Sequence, residues 1–150
     1  MKQTNEELLL QDLCARLPYG VKLWHESYVD LITLHSIDAT QFAVEISIDN
    51  SNSNTAFWNS IEQVKPYLFP LSSMTEEQLN DFYATIRPVI EEALDAWKID
   101  KTEYEGERPI TLKDIKADIV AVNWMLKNHF DMNGLIPMGL AIDATGLNVY

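Results

Sequence analysis

Three histidines, His25, His35 and His129, carry the side chains best suited to general-base or metal-ligand chemistry near neutral pH. None stands in an HExxH spacing, and none has a neighbouring cysteine ligand. His25 is followed by Glu26, and His35 lies three residues before Asp38, so acids accompany both. A hydrolase or metal-dependent enzyme built on His25, His35 and those acids requires all of them to converge in one concave pocket. A general base also needs a nucleophile and an orienting partner within hydrogen-bond reach, and no motif supplies either. His129, near a helix C-terminus, is expected to interact with the terminal carbonyls. Asp114 and Asp118 stand four apart on one helical face, where they could share a cation. Lys113 and Lys116 beside them make a surface charge pattern the better reading. The glycines are isolated and form no phosphate loop, and Ser72 and Ser73 lie outside any GxSxG elbow, so they read as turn and cap residues. No catalytic residue, metal ligand or cofactor is assigned.

Binding chemistry is better represented. The 150 residues hold 23 acids against 11 bases, a formal net charge of −12. Such a field repels a phosphate backbone, so no direct nucleic-acid binding is expected. The stretch Glu91–Glu107 carries seven acids against two lysines. It could attract a basic protein or imitate a nucleic acid, although solubility alone accounts for it. Trp58, Tyr67 and Phe69 lie in a segment that Pro66 and Pro70 push partly outward. Exposed, they would form an interface anchor; packed under a loop they are satellite core, which is the favoured reading of the two. The candidate protein-binding residues are therefore Trp58, Tyr67, Phe69, Glu91, Glu92 and Asp95.

These residues must be positioned by elements of two periods. Thr4 or Asn5 caps a first helix bearing Leu9, Leu10, Leu13 and Leu17, which Pro18 and Gly20 end. Cys14, between Leu13 and Ala15, reads as a packed thiol. From residue 21 the period changes to two. Runs around Val21–His25, Val29–Ser36 and Phe42–Ile48 predict three antiparallel strands, the last two joined by a hairpin at Ile37–Thr40. The polar tract Asp49–Asn54 reads as a loop. The aromatic segment after it reads as irregular, with a short strand near Ile61–Val64. Thr75 and Gln78 announce a capping box for a helix whose apolar stripe runs from Leu79 to Trp97, with Pro88 expected to kink it near Ala84. A last long helix runs from about Thr111 to Asn128, its Leu112, Ile115, Ile119, Val122 and Leu126 expected to face the core and its Val120 and Trp124 to widen that stripe. The apolar tail is expected to dock on the fold as a further strand.

The reading is one α+β domain over residues 1–150: an antiparallel sheet of three or four strands packed against about three helices. A hydrophobic content of 47% suffices for a core without metal or disulfide. The first residues show no cleavable apolar run, and no stretch approaches a bilayer span, so a cytoplasmic location away from the membrane is expected.

Four strings, LCARLPYGVK (13–22), VKPYLFPLSSMTEEQ (64–78), NHFD (128–131) and GLIPMGLAIDATGLNVY (134–150), resemble a family of small proteins of unassigned activity. These are encoded in gut Bacteroidales genomes and in their phages or integrated elements. The likeness covers most of the chain. It departs at Met132-Asn133, where relatives often read Tyr-Arg. The resemblance carries no catalytic residue, and its phage-like context implies a protein that binds another protein. The leading expectation is thus a non-enzymatic adaptor or modulator with a basic protein partner. An enzyme using His25 and His35 is one alternative, and an oligomeric structural component formed by homo-oligomerisation is another.

Overall fold

The computed structural model describes residues 2–49, 56–100 and 112–150, without the side chains of residues 93–100 and 113. The described residues form two compact units, one of residues 1–73 with 126–150 and one of residues 74–125.

In the first unit, helix α1 (Asn5–Arg16) starts at Thr4. The Thr4 hydroxyl accepts from the Glu7 amide at 3.2 Å, and the Glu7 carboxylate accepts from the Thr4 amide at 2.9 Å. Two otherwise orphaned donors are thereby satisfied. Leu9 and Leu13 are buried, with Leu10 and Leu17 packed beside them. A 3-10 turn over Leu17–Tyr19 ends at Gly20, whose φ of +65° a side chain would resist.

The strands are β1 (Lys22–His25), β2 (Tyr28–Asp38), β3 (Ala43–Ile48), β4 (Ala56–Ser60), β5 (Val64–Leu68) and β6 (Ile142–Asp143). They form one sheet in the order β4-β3-β2-β1-β5-β6. The expected hairpin between β2 and β3 forms, but its turn lies at residues 39–42 rather than Ile37–Thr40, because Ile37 and Asp38 still pair with Val44 and Ala43. Asp38 fixes it by accepting from the Thr40 amide at 2.9 Å and the Thr40 hydroxyl at 2.6 Å. Val44 and Ile46 are fully buried opposite Ile37 and Leu34, as their alternation requires. With α1 they enclose Val21, Leu23, Ile32, Ile61, Val64 and Leu68.

The α+β class holds, but the sheet has six strands and is mixed. Residues 56–68, read as irregular with a short strand near Ile61–Val64, make two strands, Ala56–Ser60 and Val64–Leu68, and Ile61–Gln63 is the 3-10 turn between them. Pro66 sits within β5, paired with Leu23 of β1 and buried. The tail strand β6 runs parallel to β5, because the chain reaches it through a long connection that includes two helices rather than through a tight turn. Cys14 is exposed rather than packed, because it lies one residue, about 100° around the helix, from buried Leu13.

The second unit is a helical pair. Helix α2 (Glu76–Asp100) begins with the expected box: the Thr75 hydroxyl accepts from the Gln78 amide, and the Gln78 side chain accepts from the Thr75 amide. It continues through Pro88 without interruption. Helix α3 (Leu112–Lys127) follows, and its expected start at Thr111 lies outside the described residues. Phe82 and Trp124 meet edge to face with centroids 5.1 Å apart. The Trp124 indole donates to the Asp81 carboxylate at 2.8 Å, and Lys116 lies 3.8 Å from Glu92.

Candidate functional site

A buried polar cluster joins α1 to the C-terminal segment, and sequence reasoning missed it. Asp12 and Arg16 lie one turn apart on the same side of α1 as Leu9 and Leu13, and both are buried. Arg16 donates to the two Asp12 oxygens at 2.6 and 3.1 Å and to the Phe130 carbonyl at 2.7 Å. Asn133 donates to the same carboxylate at 2.9 Å. Desolvating both ions is costly unless such partners surround them. Here they tie α1 to the NHFD segment, whose backbone also brackets Phe69 through bonds of 2.9 and 2.8 Å. The Asp131 carboxylate accepts from the Leu135 and Ile136 amides, closing the next turn. The signal available in sequence was the i,i+4 spacing of opposite charges inside an apolar stripe.

His129 does not act as a cation at a helix end. Its φ of +60° closes α3 in the left-handed region, and its ring is buried, stacked 3.8 Å from Tyr150. Burial, reinforced by the Arg16 and Lys22 charges, lowers its pKa from 6.5 to about 4. The Tyr150 hydroxyl donates to the Tyr67 carbonyl at 2.6 Å and accepts from the Lys22 amide at 3.3 Å. Burial of that end raises the pKa of the phenol, while the residue as a whole remains 44% exposed.

The other histidines lie apart from it. His25 is buried on β1, its Nδ1 accepting from the Ser27 amide and its Nε2 facing the Asn59 side-chain oxygen at 3.1 Å. These contacts assign the proton to Nε2. His35 is exposed on β2. Two clefts, of about 160 and 490 Å³, flank the first turn of α1, and no histidine lines either. The convergence demanded by the enzyme alternative is not found at these positions. Among the described residues no group of His, Cys, Asp and Glu could hold a metal ion, and no helix is long and apolar enough to cross a membrane.

The six candidate binding residues do not form one surface. Trp58 is 55% exposed on edge strand β4, opposite Glu45 of β3. Tyr67 and Phe69 are half-buried, separated from β4 by the three strands between β4 and β5. Phe69 packs on Phe130 and Tyr150. Glu91 and Glu92 are exposed on α2. The side chain of Asp95 lies outside the described residues, as does the part of the acidic stretch beyond residue 100.

The largest departure from expectation is on α3. Leu126 and Trp124 are buried as expected, whereas Leu112, Ile115, Ile119 and Val122, expected in the core with them, are 85%, 46%, 53% and 44% exposed. At 100° per residue they share one side of the helix, roughly opposite Trp124, which is the residue that packs on α2. The half-buried Ala117, Val120 and Ala121 lie toward the Trp124 side. Periodicity located the stripe correctly, but it could not say which stripe the packing would cover. Asp118 is exposed and Asp114 half-buried along one flank of the stripe. On the other flank Lys116 faces Glu92 of α2. The row is thus an apolar strip on α3 with polar side chains along both flanks.

Comparison of the chain with protein-family models, with curated proteins and with solved structures finds no match.

Proposed function

We propose that this protein acts as a non-enzymatic binding protein, an adaptor or modulator, that engages another protein through the apolar face of α3. The observation that carries the reading is the row Leu112, Ile115, Ile119 and Val122, four large apolar side chains each at least 44% exposed. Surface apolar residues scattered singly need no explanation, whereas a contiguous row along one helix face marks an interaction site. The acids of α2 supply long-range steering, and the aromatic anchor first sought at Trp58, Tyr67 and Phe69 is replaced by aliphatic side chains on a helix. Membership in the family of small gut-bacterial and phage proteins belongs to the same proposal and assigns no residue a role.

The test is comparative capture from host lysate at moderate salt. The bait is the intact protein, set beside an Ile115→Glu/Ile119→Glu variant and a Trp58→Ala variant. A stoichiometric partner retained by the wild type and Trp58→Ala, but lost with the charged α3 face, is the expected result. Identical capture by all three baits contradicts it.

A further inference from the structure

We infer that residues 145–150 form a pH-sensitive latch, closed by the stack of Tyr150 on His129 and opened when the His129 ring takes up a proton. At Ala144 the chain is still tied to the sheet, its amide donating to the Leu68 carbonyl at 2.8 Å. Residues 145–148 are then exposed, and Gly146 turns the chain with a φ of +75° that favours glycine. Tyr150 brings the segment back. Its hydroxyl donates to the Tyr67 carbonyl of β5 at 2.6 Å and accepts from the Lys22 amide of β1 at 3.3 Å. Its ring lies 3.8 Å from the imidazole, 11° from parallel, and 5.9 Å from Phe69. One side chain therefore joins two strands to a ring that can titrate.

The closed arrangement suits the neutral imidazole alone. His129 Nδ1 is buried, with no hydrogen-bond partner among the described residues. As a lone pair on a neutral ring it is the cheaper orphan. As the N–H of an imidazolium it becomes a buried, charged donor with nothing to accept it. The elements packed around the ring bring cations, neutral groups or acids already engaged. From α1 comes Arg16, whose partner Asp12 accepts from it and from Asn133. From β1 comes Lys22, paired with Asp49. Tyr67 of β5 and Tyr150 are neutral phenols. Asp131, two residues on, has its oxygens engaged by the Leu135 and Ile136 amides. Burial, with Arg16 and Lys22, holds the pKa of the closed ring at about 4. Lifting Tyr150 off one face lets water reach the imidazolium and returns it toward the ordinary 6.5. The open form then binds more protons than the closed one, so acid favours opening. Between those two values each unit of pH multiplies the open-to-closed ratio by up to about tenfold. Opening also takes the Tyr150 ring off Phe69, which packs on Phe130 with centroids 6.3 Å apart, and uncovers that aromatic pair.

The experiment is an NMR titration of the intact protein from pH 7.5 to 4.5, following the backbone amides of residues 145–150 and the His129 ring protons. In the wild type the heteronuclear NOE of residues 145–150 should fall as pH falls, with the midpoint of the His129 ring, while the amides of β1, β2 and β3 keep their dispersion. Tyr150→Phe keeps the stack but loses both hydroxyl bonds, so its segment should open at higher pH. His129→Asn removes the titrating ring, so the order of its segment should be the same at both ends of the titration. Asp143, whose carboxylate accepts from the Thr145 amide at 2.8 Å, is a second acid at this turn. Asp143→Asn keeps an acceptor oxygen and should leave the midpoint where it is. A segment that stays ordered while His129 titrates overturns the inference. So does a midpoint unmoved by Tyr150→Phe, or opening that persists in His129→Asn at the wild-type midpoint. Loss of sheet dispersion at the same pH as the segment's release also overturns it, because the event is then global unfolding and not a latch.

Discussion

Buried beside two cations, the His129 imidazole takes up a proton far less readily in the folded chain than in the unfolded one. Its pKa falls from 6.5 to about 4, with burial the largest cause and Arg16 and Lys22 adding to it. Between those values the unfolded chain binds more protons than the folded one, so stability rises with pH across that window. Stability is therefore at its full value above about pH 6.5 and is lost as pH falls toward 4, by about 3 kcal/mol from this group. Urea midpoints of wild type and His129→Asn, compared at pH 7 and pH 4.5, isolate the contribution, since asparagine tolerates the positive φ. The wild type should lose more stability than the variant over that interval; equal losses would show that His129 is not neutral in the fold. Neither this role nor that of Asp12 and Arg16 was legible in the sequence. A charged pair at i,i+4 reads as a surface pair, and only the return of the chain more than a hundred residues later, bringing the Phe130 carbonyl and Asn133, encloses it.

Local signals did define the elements that depend on neighbouring residues. Thr4 with Glu7 and Thr75 with Gln78 form the two helix starts, and Asp38 and Thr40 form the hairpin turn. Strands β4 and β5 were not legible, because Pro66 and the aromatic density around it argue against strand. Only pairing with β3 on one side and β1 on the other selects the extended state. Pro88 shows a related limit in a helix: α2 continues through a residue that lacks the amide Ala84 would otherwise receive. Because Pro88 is exposed, its ring contributes little packing to offset that loss. Pro88→Ala should therefore stabilise the helical unit by about 1–3 kcal/mol, read as a raised denaturation midpoint of the helical signal. An unchanged or lowered midpoint would mean that the proline ring packs or bends the helix to advantage.

At the scale of the whole molecule, burial among the described side chains is distributed unequally between the two units. Leu23, Ile32, Leu34, Val44 and Ile46 retain at most 4% of their surface, and strands bonded on both sides hold them. Among the described residues of 74–125, Ile86 and Trp124 are the buried ones. Local stability follows buried apolar contact, so the helical unit should open at lower free energy than the sheet. Native-state hydrogen exchange by mass spectrometry should find the amides of β1, β2 and β3 slowest and those of α2 and α3 faster by at least about tenfold, the ratio that 1.4 kcal/mol confers. Uniform protection would show that the helices draw stability from contacts beyond their own pair. The same measurement bears on function, since a ligand that binds only the folded form adds stability where it binds. A partner captured through the α3 face, at saturation, should slow exchange in α3 while leaving the slowest sheet amides little changed. Slowing confined to the sheet would place the binding surface elsewhere. Binding to α3, as proposed, would add stability to the helical pair, and slowed exchange there is the signature that separates it from binding at the sheet.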